Sequence, residues 1–195
     1  MIKLPMITLA CMTGVGYKTQ EHKEAIRKSC KDIKFGAVKL IELEQIKDIG
    51  TWNEAVIYEL PRHIETDYCL FIHHDGYIIH PELWKDEWLN YDFIGAPWPM
   101  PKDNYSYRTL LGRLIRVGNS VSLRSKKLMD LAAIRLMEYH HGNNNEDGAI
   151  CVWQRDWLEE QDCKFAPLEV AKYFSKEHEI EENKDIKKTF AFHSL

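Results

Sequence analysis

A chain of 195 residues with 45% apolar and 29% charged side chains can bury one substantial core and is short for two, so a single domain is expected. The formal net charge of −4, and the lack of any run of eighteen apolar residues, argue against disorder, a dedicated nucleic-acid binder and an integral membrane segment. Five cysteines at positions 11, 30, 69, 151 and 163 form no CxxC pair, which points to reduced, inert thiols in a cytoplasmic protein.

In chain order, Pro5 and the lack of a small-residue cleavage pattern speak against a signal peptide, and Ile7 to Met12 reads as a first buried strand. Thr13-Gly14-Val15-Gly16 follows as a tight turn. Thr19 to Cys30 has helical character, Ala37 to Leu43 is a second strand, and Trp52 to Leu60 is a second helix closed near Pro61. Tyr68 to Ile72 is the third strand. Strand, helix, strand, helix, strand implies crossover connections, hence an α/β fold of Rossmann type with a mainly parallel central sheet and flanking helices.

Beyond Asp75 the pattern loosens. Pro81 opens a short helix around Leu83 to Leu89, and Phe93 to Gly95 is a brief strand. The run 96–101 holds three prolines in six residues, so it is expected to be a rigid loop outside the sheet. Asp103 to Arg113 is expected to be mobile, and Val117 to Leu123 is another strand. Leu128, Leu131, Ala132, Leu136 and Tyr139 share a face at helical spacing, which predicts an amphipathic helix from Ser125 to about His140. After the polar stretch His141 to Asn144, Asn145 is a cap candidate for a helix carrying Glu146 and Asp147 in its first turn. The charge-dense stretch Glu177 to Lys188 is expected at the surface.

Two sites of chemistry stand out. The third strand delivers His73, His74, Asp75 and Gly76 to the carboxyl edge of the sheet, where open α/β sheets bind ligands. Arg108, Arg113, Arg116, Arg124, Lys126 and Lys127 form a local basic run, either an ordinary solvated face or a field that neutralises phosphate. Thr13 to Gly16 lacks the full dinucleotide fingerprint, which disfavours a nicotinamide-dependent dehydrogenase.

Asp75-Gly76, the block from Tyr91 to Trp98, the block from Gly118 to Ser125, Glu146-Asp147 and Phe190-Ala-Phe-His193 together resemble the DUF5672 group of small glycosyltransferase-like proteins, across about residues 5 to 193. The resemblance implies a single GT-A-like domain over residues 1–195, binding a nucleotide-diphosphate sugar, UDP-linked among the options, with Mn2+ or Mg2+ as cofactor. It places Asp75 at the second acid of the Asp-x-Asp metal motif and His73 where the first would stand. His73 is then a direct ligand, a ligand through water or a lining residue. His74 contacts substrate or turns into the core, since neighbouring strand residues face opposite ways. His193 matches the late histidine that ligates the metal.

By the same resemblance Thr13 and Val15 receive the nucleotide base, and Arg27 with Lys28 are candidate diphosphate contacts. Trp98 covers the apolar face of a carbohydrate acceptor, and Asn119 bonds donor hydroxyls. Asp147 is the catalytic base of an inverting transfer, with Glu146 orienting hydroxyls. A retaining transferase, a nucleotide-sugar hydrolase and a non-catalytic carbohydrate- or protein-binding domain on the same scaffold remain as alternatives.

Overall fold

The computed structural model describes residues 1–135 and 145–194. Strand β1 (Ile2–Gly14) lies inside a five-stranded sheet, between β2 (Ile33–Leu43) and β3 (Tyr68–Phe71), and pairs in parallel with both. Leu9 and Cys11 join the core cluster on one face, and Ala10 and Met12 join that on the other. Burial on both faces explains why this strand reads as a continuous apolar run and not as an alternation. It begins earlier than the sequence suggests, because its pairing with β2 shifts between Leu4 and Thr8 and so accommodates Pro5 in an irregularity.

Helices α1 (Thr19–Ser29) and α2 (Ile49–Tyr58) make the two crossovers. The start of α2 is set by Asp48, whose side chain accepts from the Thr51 N–H while the Thr51 hydroxyl closes the reciprocal bond. A single 3-10 turn, Leu60–His63, follows where Pro61 prevents a longer helix.

Strand β5 (Val117–Ser125) runs antiparallel to β3, and β4 (Phe93–Pro97) runs antiparallel to β5, giving the order β2-β1-β3-β5-β4. The sheet is thus mainly parallel, with β5 reversed. One expectation fails here: Ala96 and Pro97 lie within β4, paired with Gly118 and Val117. Proline is tolerated because β4 is the edge strand and needs no donor on its outer side. In place of the short helix after Pro81, two 3-10 turns form at Pro81–Leu83 and Asp86–Asn90.

Helix α3 (Lys126–Ala133) is capped by the Ser125 hydroxyl on the Leu128 N–H at 3.0 Å. It gives way to a turn at Ile134, and the predicted continuation through Leu136, Tyr139 and His140, with the stretch His141 to Asn144, lies outside the described residues. Asn145 holds the cap position of α4 (Glu146–Gly148) without a side-chain cap bond, a correction to the expected role. Instead the Asn53 side-chain oxygen accepts from the Glu146 N–H at 3.1 Å. A π turn over Ala149–Trp153, α5 (Arg155–Glu160) and α6 (Leu168–Phe174) complete the helical layer.

The segment 103–115 is held by hydrogen bonds within itself and by one isolated antiparallel bridge, Arg108 to Leu114. Asp103 accepts from the Tyr105 and Ser106 N–H groups, Thr109 N–H donates to the Arg113 carbonyl, and Ile115 N–H donates to that of Tyr107. The charge-dense stretch Glu177 to Lys188 lies largely at the surface as expected, anchored by buried Ile180 and Asn183, whose side chain accepts from the Ile180 N–H. Strands β6 (Ser175–Lys176) and β7 (Ala191–Phe192) pair, and Phe190 packs against Trp84, Trp88 and Phe174 with ring centroids 5.3 to 5.7 Å apart. The cysteines are free, and burial pushes the thiols of Cys69 and Cys163 up to about 12 and 11. Among the described residues no helix is long and apolar enough to cross a membrane.

Candidate active site

The carboxyl ends of β1 and β3 meet the amino end of the reversed β5, so Thr13, His73 to Asp75, and Asn119 converge at one sheet edge. Residues just past β6 and β7 bring Glu177 and His193 to the same place, and α4 brings Asp147. Between them lies a cavity of about 620 Å³, walled on its far side by Ile46, Ile49, Trp52 and Asn53. Trp52 is fixed there by donating its indole N–H to the Met12 carbonyl at 2.9 Å.

One wall carries three groups whose ligand atoms all lie within 4.8 Å of one another: His73, Asp75 and His193. Burial holds the His73 imidazole well below the usual histidine range, helped by the nearby His193, so the ring is neutral. Its Nε2 is buried and has no hydrogen-bond partner. Such an orphaned atom in a polar wall is costly unless a ligand satisfies it. His193 Nδ1 lies 3.4 Å from Glu177 Oε1 and 3.0 Å from Asn119 Nδ2, which turns Nε2 toward Asp75 Oδ1 at 3.7 Å. A carboxylate that orients a histidine through its second nitrogen is a recurrent support for metal ligands. Two imidazoles and a carboxylate oxygen fit a divalent ion, and among Mn2+ and Mg2+ the nitrogen donors suit Mn2+ better.

Gly76 makes this arrangement possible. A Cβ there would fall 2.6 Å from the Val121 side chain and 2.7 Å from the His193 ring. Gly76→Ala is therefore expected to displace His193 and weaken Mn2+ binding in a calorimetric titration, while the far-UV circular dichroism keeps its native shape.

At the cavity mouth, Lys18 Nζ lies 2.7 Å from His74 Nε2, and the His74 ring packs 5.1 Å from that of His22. Lys18 has a φ of 47°, an uncommon conformation for a residue with a Cβ, at the position before α1. Burial lowers His22 against the opposing pull of the Lys18 carbonyl, and burial also lowers His74 despite the neighbouring Asp75.

Asp147 stands in the wall shared by this cavity and a second cleft of about 200 Å³, lined by Trp98, Tyr105, Tyr107, Trp153 and His178. Burial, together with the Glu146 charge, pushes its carboxyl up to about 7 against the opposing Gly148 N–H. Glu146 faces the other way. It is fully buried and pairs with Arg124 at 2.8 Å, and the Arg124 guanidinium lies over the rings of Phe71 and Phe93.

A family described as a protein of unknown function, DUF5672, matches residues 41–193. The chain belongs to the DUF5672 family. No curated protein matches it. Among solved structures, this DUF5672 chain is similar to a "glycosyltransferase involved in the glycosylation of the major capsid of PBCV-1", at 11% identity and a TM-score of 0.62, covering 97% of this chain and 92% of that one. The fold is therefore that of a GT-A-like glycosyltransferase.

The DUF5672 fold thus gathers Thr13, His73, His74, Asp75, Asn119, Asp147 and His193 around one cavity. Other expected residues lie elsewhere. Val15 is exposed and outside the cavity lining, and Arg27 is also outside it, in an exposed bidentate pair with Glu24. Lys28 donates to the Tyr77 hydroxyl. Trp98, by contrast, lines the smaller cleft beside Asp147, nearly buried, with one side against Gly118 and its ring stacked on Tyr107 at 4.8 Å. Glu146 touches Arg124 and not the cavity. The basic run is largely neutralised internally: Arg113 pairs with Asp156 and Glu159, Arg116 with Glu182, Arg124 with Glu146, and Lys126 with Asp130. Lys18, Trp52 and Glu177 enter the site without having been singled out by the sequence. Only Lys18 carried a local signal, as a lone cation closing the Gly14 to Gly16 turn.

Proposed function

We propose that this DUF5672 protein transfers a sugar from a nucleotide-diphosphate donor to a carbohydrate hydroxyl, with inversion and with a divalent metal. The observation that carries this reading is the position of Asp147 in the common wall of a large cavity and a small cleft, where the other shared carboxyl, Glu177, is paired with His193. A donor in the first and an acceptor in the second would meet at Asp147.

In this reading the nucleotide base lies among Thr13, Ile49 and Trp52, which line the cavity. Its diphosphate lies toward Lys18 and His74, whose positive and polar groups would hold it at the edge of the sheet. His73, Asp75 and His193 would hold the metal, which supplies stabilisation of negative charge on the departing diphosphate. Asn119 and Glu177 keep His193 oriented. Asp147 accepts the proton of the acceptor hydroxyl while that oxygen forms a bond to the anomeric carbon and the bond to the diphosphate breaks.

The deciding experiment is calorimetric titration with UDP, GDP and CMP sugars, first with Mn2+ and then with chelator. One nucleotide class is expected to bind with a micromolar Kd that weakens about tenfold or more when the metal is removed. Failure of every nucleotide to bind the folded protein sinks the transferase reading. With the class known, Lys18→Met should weaken donor binding by about ten- to a hundredfold, the loss of one charge-assisted hydrogen bond, and leave acceptor binding unchanged.

A further inference from the structure

Of the buried side-chain atoms without a hydrogen-bond partner among the described residues, two belong to residues lining the large cavity: His73 Nε2 and Asn53 Nδ2. The metal group accounts for the first, and no step of the transfer uses the second. Asn53 stands on α2, one residue after Trp52, and is 2% exposed. The Glu146 N–H lies 3.1 Å from one end of its amide. An N–H can donate only to the oxygen, so that end is Oδ1 and the free end is the NH2 group. Such a group offers two donors and accepts nothing, and keeping it dry and unpaired is costly.

The place of this donor decides what it meets. The backbone group that holds Oδ1 belongs to the residue directly before Asp147, and Asn53 and Asp147 both line the cavity. Glu146 does not line it, since its Oε1 is turned to Arg124. Its other oxygen, Oε2, is also buried and unpaired, which makes it the internal rival for Nδ2. A side chain that belonged wholly to that carboxylate would have no reason to stand in the cavity wall. With the base beside Trp52 and the diphosphate toward Lys18 and His74, the part of a donor that comes up to Asp147 is the sugar about to be transferred.

We infer that Asn53 determines specificity for the donor sugar: Nδ2 donates to one hydroxyl oxygen of the transferred sugar, and the cavity rejects the same sugar deoxygenated at that carbon. This inference rests on the glycosyltransferase reading and adds to it the residue that inspects the donor. Without the oxygen, a buried N–H is left with neither ligand nor water, and a site built to hydrogen-bond a hydroxyl discriminates against its loss more sharply than an apolar pocket discriminates against a missing methylene. The Glu146 N–H sharpens the effect, because it holds the amide in one orientation and prevents a flip that would offer oxygen in place of NH2.

The test is calorimetric titration of the full chain, with Mg2+ present, using UDP-glucose, UDP-galactose and GDP-mannose, each beside its nucleoside diphosphate and its monodeoxy sugars. For the donor that binds, one deoxygenation should weaken wild-type binding about tenfold or more. Asn53→Ala should weaken the parent donor about tenfold, leave the nucleoside diphosphate within about twofold, and bring parent and deoxy donors to the same affinity. Asn53→Ser, whose hydroxyl can accept from the Glu146 N–H, is the second variant. The wild-type chain gives an independent reading, since the Asn53 side-chain amide resonances should move with the nucleotide sugar and stay in place with the nucleoside diphosphate. Equal weakening of nucleotide sugar and nucleoside diphosphate, a deoxy effect that persists in the variants, or amide resonances that ignore the sugar would each overturn the inference, giving Asn53 to the base or to Glu146. Donors that bind with no sensitive hydroxyl remove only the role of Asn53 and leave the transferase reading standing, whereas failure of every nucleotide to bind removes both.

Discussion

Replacing Asp147 by asparagine is expected to lower kcat by about 100 to 10,000-fold while donor affinity stays within about twofold, because the amide keeps the shape and cannot take a proton. The same substitution should stabilise the fold above neutral pH. The Asp147 carboxyl is raised from 3.8 to about 7. A raised carboxyl binds its proton more tightly in the folded state, so the native protein loses stability as pH climbs from about 4 to about 7. Asparagine carries no such penalty. With the carboxyl partly open to the cavity, the gain above pH 7 is expected at about 1–3 kcal/mol, seen as a Tm rise of roughly 3–10 °C. The wild-type rate should in turn increase with pH through about 7 as the base loses its proton. Full activity of the asparagine variant would remove Asp147 from the role of base.

The second large effect concerns the pair behind it. Arg124→Met leaves the fully buried Glu146 without its partner, and Glu146→Ala does the same to Arg124. Each change should cost about 3–5 kcal/mol, the usual penalty for one uncompensated buried charge, and lower Tm by roughly 6–20 °C. Glu146→Gln is milder and more informative. It keeps a hydrogen-bond acceptor for Arg124 and removes a charge that raises Asp147, so the acid limb of the rate profile should move to lower pH. A glutamate that touched substrate would instead change KM without moving that limb.

Much of the sheet is visible in the chain before it folds. Residues 7–12 and 68–72 are apolar on both faces because they are the central strands, and the histidines and aspartate that interrupt the second run mark the point where it leaves the core. The direction of β5 leaves no such trace. Val117 to Leu123 would be equally apolar in either orientation, and only pairing with β3 reveals that Asn119 lies at the ligand edge. Pro97 misled for a related reason, since an edge strand tolerates a proline that a central one does not.

The site divides along similar lines. His73, Asp75 and His193 announce themselves by residue type, and family resemblance supplied the late partner that local pattern could not. The Arg124–Glu146 pair joins residues far apart in sequence, so Arg124 reads as one more member of a basic run and Glu146 as one more acid at a helix start. Arg27 has the reverse history. Its charge suited a diphosphate, but its place on α1 leaves it outside the cavity lining, in an exposed pair with a glutamate three residues earlier.

The site draws on β1 at one end of the chain and on the residue after β7 at the other, with β3, β5 and α4 between. Contacts of such long sequence separation form late in folding, after most loop-closure entropy has been lost. No fragment that stops short of β7 can contain the His73, Asp75 and His193 group, so ligand binding reports on completion of the whole domain. A bound donor should for the same reason raise the unfolding temperature of the molecule as one cooperative unit, which makes thermal shift a direct way to search for the molecule this cavity was shaped to hold.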